Sequence, residues 1–286
     1  MIRIHNDRLV IEIQEPGSGY NRARFDWSGI CQQIKLDGKH TFCSQEATVE
    51  APGTEGIGLT DEFGIHTPIG YDQIEAGGWF PKIGIGFLQK VNNDPYNFFY
   101  DYNIQPVPIH YEQDRNDQVS FLQESQILNG WGWRLRKTLS LDDAGLAINY
   151  VLENRGEKEI VTEQYNHNFI AINSETVGPD YQLDTSFPLN LTVINGGVQV
   201  DHQNLNLTEV PPTFIYVMQP DCGGLENTEW RLLHKPSGHG LQVSEYFPLQ
   251  KFALWGMSHV ISPEFFVWID LQPGQKQTWQ RKYTFF

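Results

Sequence analysis

Between Gly132 and Asn154 the sequence alternates in a way that a β-hairpin satisfies and a helix does not. Trp133, Leu135, Lys137, Leu139 and Leu141 take every second position, with Arg134, Arg136, Thr138 and Ser140 between them. A period of two places these two sets on opposite faces of a strand. Asp142-Asp143-Ala144-Gly145 then interrupts the pattern before it resumes at Leu146 and runs to Leu152. Asp and Gly accept the backbone angles that a tight hairpin turn demands. A second turn at Asn154-Arg155-Gly156-Glu157-Lys158 leads into a strand predicted over Ile160 to Asn173. Strand thus follows strand with no crossover helix between them.

The last third of the chain has the same character. Strands are predicted over Phe214 to Met218, Glu229 to Leu233, Gly240 to Tyr246, Phe252 to Met257, Phe265 to Leu271 and Gln277 to Phe285, with Pro220, Pro236, Pro248, Pro263 and Pro273 in the gaps. Proline cannot donate to a sheet ladder, so its confinement to the gaps supports the strands. No internal repeat marks the blades of a propeller, and 286 residues are more than a small barrel uses. The expectation is an all-β fold of two large antiparallel sheets packed face to face, in a single domain over residues 1–286. Two stretches, Ala51 to Gly78 and Gly178 to Gln203, mix glycines with aromatic and aliphatic residues and show no clear strand. They read as long loops on the rim of a binding site.

Charge and cysteine usage exclude several classes. Lys plus Arg is 20 against 35 Asp plus Glu, a formal charge of −15, which removes a general attraction to nucleic acid or to anionic membranes. Met1 to Arg8 lacks a secretory apolar stretch and no run of 18 apolar residues occurs, so a cytoplasmic protein is expected. Cys31, Cys43 and Cys222 show no Cys-x-x-Cys spacing and read as buried thiols, not disulfides or zinc ligands. Among nine histidines only His234 and His239 approach metal-ligand spacing, and the Pro-Ser-Gly between them suggests a solvated turn. Gly84-Ile85-Gly86-Phe87 is too short for a nucleotide loop and marks a tight bend.

Two segments carry candidate chemistry. In Tyr165-Asn166-His167-Asn168-Phe169, polar residues interrupt a strand, and an imidazole there suits acid–base work near pH 7. In Ser262-Pro263-Glu264-Phe265-Phe266, Glu264 stands against aromatics, which raise a carboxyl pKa toward neutrality. A structural strand histidine and an exposed strand-end glutamate are the alternatives at these positions. Eight tryptophans, Trp255 among them, supply rings that stack on the C–H faces of sugars, with one or two expected in a site and the rest in the core.

These segments resemble the galactose mutarotase-like proteins, which include the aldose 1-epimerases. Asn166-His167-Asn168-Phe169, reached after Leu146 to Asn154, is similar to the family's Asn-His-x-x-Phe-like motif. Pro263-Glu264-Phe265, then Leu271-Gln272-Pro273-Gly274-Gln275 and Arg281 to Phe285, is similar to its C-terminal end. Arg24 to Gly29 and Gly58 to Gly64 look most like an uncharacterised branch.

The resemblance implies a β-supersandwich with a concave sugar site on one sheet. It implies that Glu264 takes the proton of the anomeric hydroxyl while His167 protonates the ring oxygen, with no metal or cofactor. Sugar contacts would come from Asn166, Trp255, Lys90 and one of two sets that alternate onto opposite faces, Arg134 or Arg136 on one and Lys137 on the other. The partner expected is a neutral mono- or short oligosaccharide, and a homodimer is left open. Two other functions are compatible: a carbohydrate-binding protein on the same scaffold, or an accessory domain of a lyase or glycoside hydrolase system. Hydrolysis would need a second carboxylate, for which Asp61, Glu62, Asp180 and Glu245 are the candidates.

Overall fold

The computed structural model describes residues 1–48 and 53–286. Among them, two antiparallel sheets of ten strands each form a sandwich. The first runs in the order Ile2–His5, Leu9–Ile13, Cys31–Leu36, Leu59–Phe63, Ile160–Asn168, Val260–Leu271, Leu249–Met257, Ile215–Gln219 and Thr192–Asn195, with His40–Thr41 paired to Cys31–Leu36. The second is centred on His239–Tyr246, Lys276–Phe285, Gly145–Asn154 and Trp133–Asp142. A small third sheet, Trp79–Lys82, Gly86–Gln89 and Ile104–Pro106, completes the set. No helix among the described residues is long and apolar enough to cross a membrane.

The hairpin pattern translates directly into packing. Trp133, Leu135, Lys137, Leu139 and Leu141 are all buried while their neighbours face outward. Aromatic pairs tie the layers: Trp230 of the second sheet stacks on Phe265 of the first with ring centroids 5.6 Å apart, and Phe63 meets Trp279 edge-on at 6.4 Å. Such contacts add stability beyond the apolar area they bury. The three cysteines are buried and unpaired, as expected.

Five expectations need correction. The Gly178 to Gln203 stretch contains three strands, Tyr181–Thr185, Thr192–Asn195 and Val198–Asp201. In the first of these Tyr181, Leu183 and Thr185 are buried while Gln182 donates to Asp184 on the outer face, an alternation too short to stand out in the sequence. Of the Ala51 to Gly78 stretch, Ala51 and Pro52 lie outside the described residues, but Leu59–Phe63 is a fully buried central strand. Its polar residues disguise it, because their partners come from distant strands. The strand from Ile160 stops at Asn168, and Ile172–Ser174 forms a single 3-10 turn with Asn173 at φ 53°. Pro263 lies inside the Val260–Leu271 strand, not in a gap. There the ladder to Ile160–Asn168 gives way to side-chain bonds, with Asn168 N–H donating to Ser262 Oγ at 3.0 Å and Asn168 Nδ2 to the Pro263 carbonyl at 2.5 Å.

Gly84-Ile85-Gly86-Phe87 makes the expected bend, linking Trp79–Lys82 to Gly86–Gln89. Gly84 has φ 85°, and a Cβ there would lie 2.5 Å from the Asp26 side chain, so a larger residue meets both strain and collision. The His234 and His239 turn is less solvated than expected. His234 is buried with Nδ1 2.9 Å from Ser237 Oγ, and His239 packs its ring on His40 at 3.6 Å.

Candidate functional site

Three adjacent strands of the first sheet place polar side chains alternately inward and outward. On Ile160–Asn168, Gln164, Asn166 and Asn168 point between the sheets, where they bond Asp61, Trp279, Arg281 and Tyr283. Tyr165 and His167 point the other way and line a cavity of about 540 Å³. The register Gln164↔Val267, continued by three residues, sets His167 opposite Glu264 on the neighbouring strand. Their side chains meet, with His167 Nε2 3.2 Å from Glu264 Oε1. Phe169 stacks under the imidazole at 3.9 Å and Trp255 stands edge-on to it at 5.3 Å.

Burial governs the charge of this pair. Desolvation first, and then the nearby Glu62 carboxylate, push the Glu264 carboxyl up to about 8, against the pull of Arg24 and Lys251. Desolvation and the Arg24 charge push His167 well below its ordinary value. Both shifts favour the uncharged forms, in which the Glu264 carboxyl holds a proton that it can donate to His167 Nε2. The His167 Nδ1 has no hydrogen-bond partner among the described residues. Ser262 Oγ donates to Glu264 Oε1 at 3.4 Å from the same strand.

Below the pair, a second group of charges closes on itself. Arg24 donates to Glu62 at 2.8 Å, to Thr54 Oγ1 at 2.9 Å and to the Tyr165 hydroxyl at 3.2 Å, with Glu46 at 3.5 Å. Tyr165 in turn donates to Glu62 at 2.6 Å, and Lys82 reaches the other oxygen of that carboxylate at 3.4 Å. Phe25 and Phe98 cover the guanidinium at 4.5 and 4.3 Å. Arg24 is thus enclosed by two carboxylates and two rings, and it offers little to an incoming anion.

Of the residues selected from sequence, His167, Glu264 and Trp255 line the cavity. The other four stand elsewhere. Lys90 is buried against Tyr71, donating to its carbonyl at 3.0 Å with Nζ 4.2 Å from the ring centre. Arg134 lies on the outer face of the second sheet, 3.8 Å from Glu124. Lys137 is locked between the sheets, 2.5 Å from Asp61, 3.7 Å from Asp26 and 2.7 Å from the Ser28 carbonyl. Asn166 donates to Asp61 at 3.1 Å on the same inner side. Among the carboxylate candidates, Asp61 pairs with Lys137 across the two sheets, Glu245 is buried against Arg281 on the neighbouring strand of the second sheet, and Asp180 is exposed. Only Glu62 approaches the cavity, and it is committed to Arg24, Lys82 and Tyr165.

Sequence reasoning missed Arg24, Glu46, His66, Phe98, Phe99, Phe214 and Tyr216, all of which line the cavity. Tyr165 was within reach of it, since it precedes His167 by two on a strand and must share its face. No three His, Cys, Asp or Glu side chains among the described residues converge as a metal site would require.

This arrangement can be set beside known structures. The chain superposes on a galactose mutarotase-like protein from Lactobacillus casei over 100% of both chains, with a TM-score of 0.62 and 15% identity. The chain has the galactose mutarotase-like fold. An aldose 1-epimerase candidate from Escherichia coli K12 matches with a TM-score of 0.65 and 10% identity, covering 99% of this chain and 98% of that one. A galactose mutarotase-like protein from Clostridium acetobutylicum gives 0.61 and 13% over 99% and 94%. No family model matches the sequence, and no curated protein does. In the galactose mutarotase-like fold of this chain, the cavity lies on the outer face of the first sheet.

Proposed function

We propose that this chain is an aldose 1-epimerase-like enzyme that interconverts the α and β anomers of an uncharged sugar. The observation that carries this reading is the His167–Glu264 pair, 3.2 Å apart in the wall of the cavity, where burial favours the uncharged form of each. O1 and O5 of a cyclic sugar are bonded to one anomeric carbon, so two groups in contact can reach both at once. One gives a proton to O5 as the C1–O5 bond breaks, and the other takes the proton of the O1 hydroxyl as the C1–O1 bond becomes a carbonyl. Rotation about C1–C2 and reversal of both transfers complete the exchange, with no net gain or loss of protons.

The resemblance assigns Glu264 as base and His167 as acid, which is the form with the proton on the imidazole. Burial favours the other form, and a proton moved across the 3.2 Å contact interconverts them. Either form runs the cycle, because anomer exchange is symmetric in acid and base. The cavity suits an uncharged ligand because its buried arginine is already neutralised by Glu62 and Glu46.

Proton exchange between anomers, followed by NMR on a panel of hexoses, pentoses and uronic acids, tests the proposal. Acceleration of a neutral sugar is expected. The rate should fall as pH rises through about 8, where Glu264 loses the proton that the pair must hold, since a raised carboxyl pKa keeps the acid form only below that value. Acceleration that keeps rising beyond pH 9 would contradict a singly protonated pair. The unpartnered His167 Nδ1 favours one other reading, a sugar-binding protein without turnover, because a general base is ordinarily oriented through its second nitrogen. Saturable binding with no acceleration of any sugar would establish that reading instead.

A further inference from the structure

We infer that the sugar is an aldohexose with a free hydroxyl on C6, and that His66 and Lys251 form the subsite that takes this hydroxyl. The inference rests on the epimerase reading of the same cavity and goes on to name its substrate class. Each hydroxyl of a bound sugar needs a hydrogen-bonding partner once water is removed, so the free donors of the cavity indicate where hydroxyls go.

Several polar groups of the cavity wall are committed to one another. Arg24 and Tyr165 are bound to Glu62, and Glu46 Oε2 accepts from both the N–H and the hydroxyl of Thr54. His66 and Lys251 are different. Lys251 lies opposite Phe266 in the ladder and sets its Nζ 3.7 Å from that ring centre and 3.1 Å from His66 Nδ1. His66 and Phe266 both line the cavity. An ammonium has only protons to give, so His66 Nδ1 accepts and the proton of the imidazole sits on Nε2. The Nε2–H and the other ammonium protons have no protein acceptor among the described residues.

The position of this pair matches C6. In the form that burial favours, Glu264 holds the proton given to O5. O1 then faces His167, and C5, beyond O5 from C1, lies on the side of Glu264 away from His167. That side belongs to the Leu249–Met257 strand, whose Ala253 pairs with Glu264. From Ala253 the strand presents Trp255 in one direction and Lys251 in the other. The Trp255 ring suits the C–H face of the sugar, and the ammonium suits a hydroxyl. Phe266, opposite Lys251, is about 7 Å along its strand from Glu264. The arm from O5 through C5 and C6 to O6 closes that gap with a hydrogen bond of about 3 Å at each end. Charge selects a hydroxyl over an anion. Glu163 accepts from the N–H groups of His66 and Thr67 at 2.6 and 3.1 Å, and against desolvation such bonds hold its carboxyl down to about 2. Burial pulls the Lys251 ammonium below its ordinary value, while Glu163, Glu264 and Glu62 hold it up. An incoming anion meets these carboxyl groups along with the ammonium. A sugar without O6 leaves the donors facing carbon once water is displaced, which costs binding.

The test compares, at about pH 7, sugars that differ only in the group on C5: D-glucose with D-xylose and 6-deoxy-D-glucose, and D-galactose with L-arabinose and D-fucose. In the series that is turned over, the hexose is expected to exchange anomers with kcat/KM roughly 10- to 100-fold above the members that lack O6, as for loss of one hydrogen bond to a charged group. Lys251→Met keeps the stem over Phe266 and should bring that ratio close to one, mainly by raising KM for the hexose. His66→Leu, at a half-exposed position that tolerates the change, should narrow the ratio as well and serves if the first variant fails to fold. Equal or faster turnover of the sugars without O6, or a ratio that neither variant alters, would overturn the inference and leave the epimerase reading intact. Faster exchange of D-glucuronate than of D-glucose would also overturn it, making the pair an anion seat. Turnover of no sugar would remove the epimerase reading. Titration of the same sugars into Glu264→Gln then decides the inference separately, tighter binding of the hexose supporting it and equal binding, or none, refuting it.

Discussion

Glu264→Gln should lower anomer exchange by about 10²- to 10⁴-fold, the range over which one positioned acid–base group contributes, and His167→Asn should do the same. The amide can still occupy the carboxyl's place beside His167 Nε2 and Ser262 Oγ, but it carries no transferable proton. Neither loss should come from unfolding. For Glu264→Gln the fold is expected to gain stability, because the wild-type carboxyl is raised from 4.5 to about 8 by burial. The sign follows from proton binding. Between those values the folded state holds a proton that the unfolded state has released, so wild-type stability is full below about pH 4.5 and declines up to about pH 8. The neutral amide escapes that decline, and at pH 8 its advantage is on the order of a few kcal/mol. Thermal melts of the two proteins at pH 5 and pH 8 check this. A variant that melts lower than wild type at both values would show that Glu264 is stabilising as a carboxylate and that the pair is an ion pair.

Lys137→Met should produce a large loss of stability without touching the cavity. The lysine stands between the sheets, 1% exposed, as the shared cation of Asp61 and Asp26. Removing one partner of a buried ion pair strands the others and typically costs about 3–5 kcal/mol. In a chain of this size that corresponds to a fall in Tm of roughly 10 °C. The carboxyl of Asp26, already pushed up to about 6 by burial, records the same desolvation. The effect should reach the cavity indirectly, since Asp61 also accepts from Gln164 and Asn166 on the strand that carries His167. Denaturant titration with no change in midpoint would contradict the inter-sheet role of Lys137.

The parts of this architecture that are legible in the sequence are those held by local alternation. Trp133 to Leu152 could be read because most of its large apolar residues meet the opposing sheet and most of its polar ones face outward, Lys137 being the exception. Leu59–Phe63 could not, because Thr60, Asp61 and Glu62 are buried polar residues whose partners, Lys137, Tyr150, Arg24 and Tyr165, come from distant segments. The same limit shaped the site. His167 and Glu264 were visible because each interrupts an apolar strand. Arg24, Glu46 and Phe98 reach the cavity from outside any strand and carry no periodic signal. Alternation states that Asn166 and His167 face opposite ways, but not which way the cavity lies. Selecting both as contacts therefore overcounted by one. Lys137 carried the same ambiguity, and its inner face proved to be the space between the sheets.

The central claim is that His167 and Glu264 act together on O1 and O5 of one sugar. A crystal structure of Glu264→Gln soaked with a reducing sugar that the wild type accelerates tests it most directly. The predicted result is a pyranose in the cavity with its anomeric carbon facing the pair, one of O1 and O5 within about 3.2 Å of His167 Nε2 and the other within the same reach of the amide at position 264. A sugar bound elsewhere, or seated in the cavity with its anomeric carbon turned toward solvent, would contradict the account.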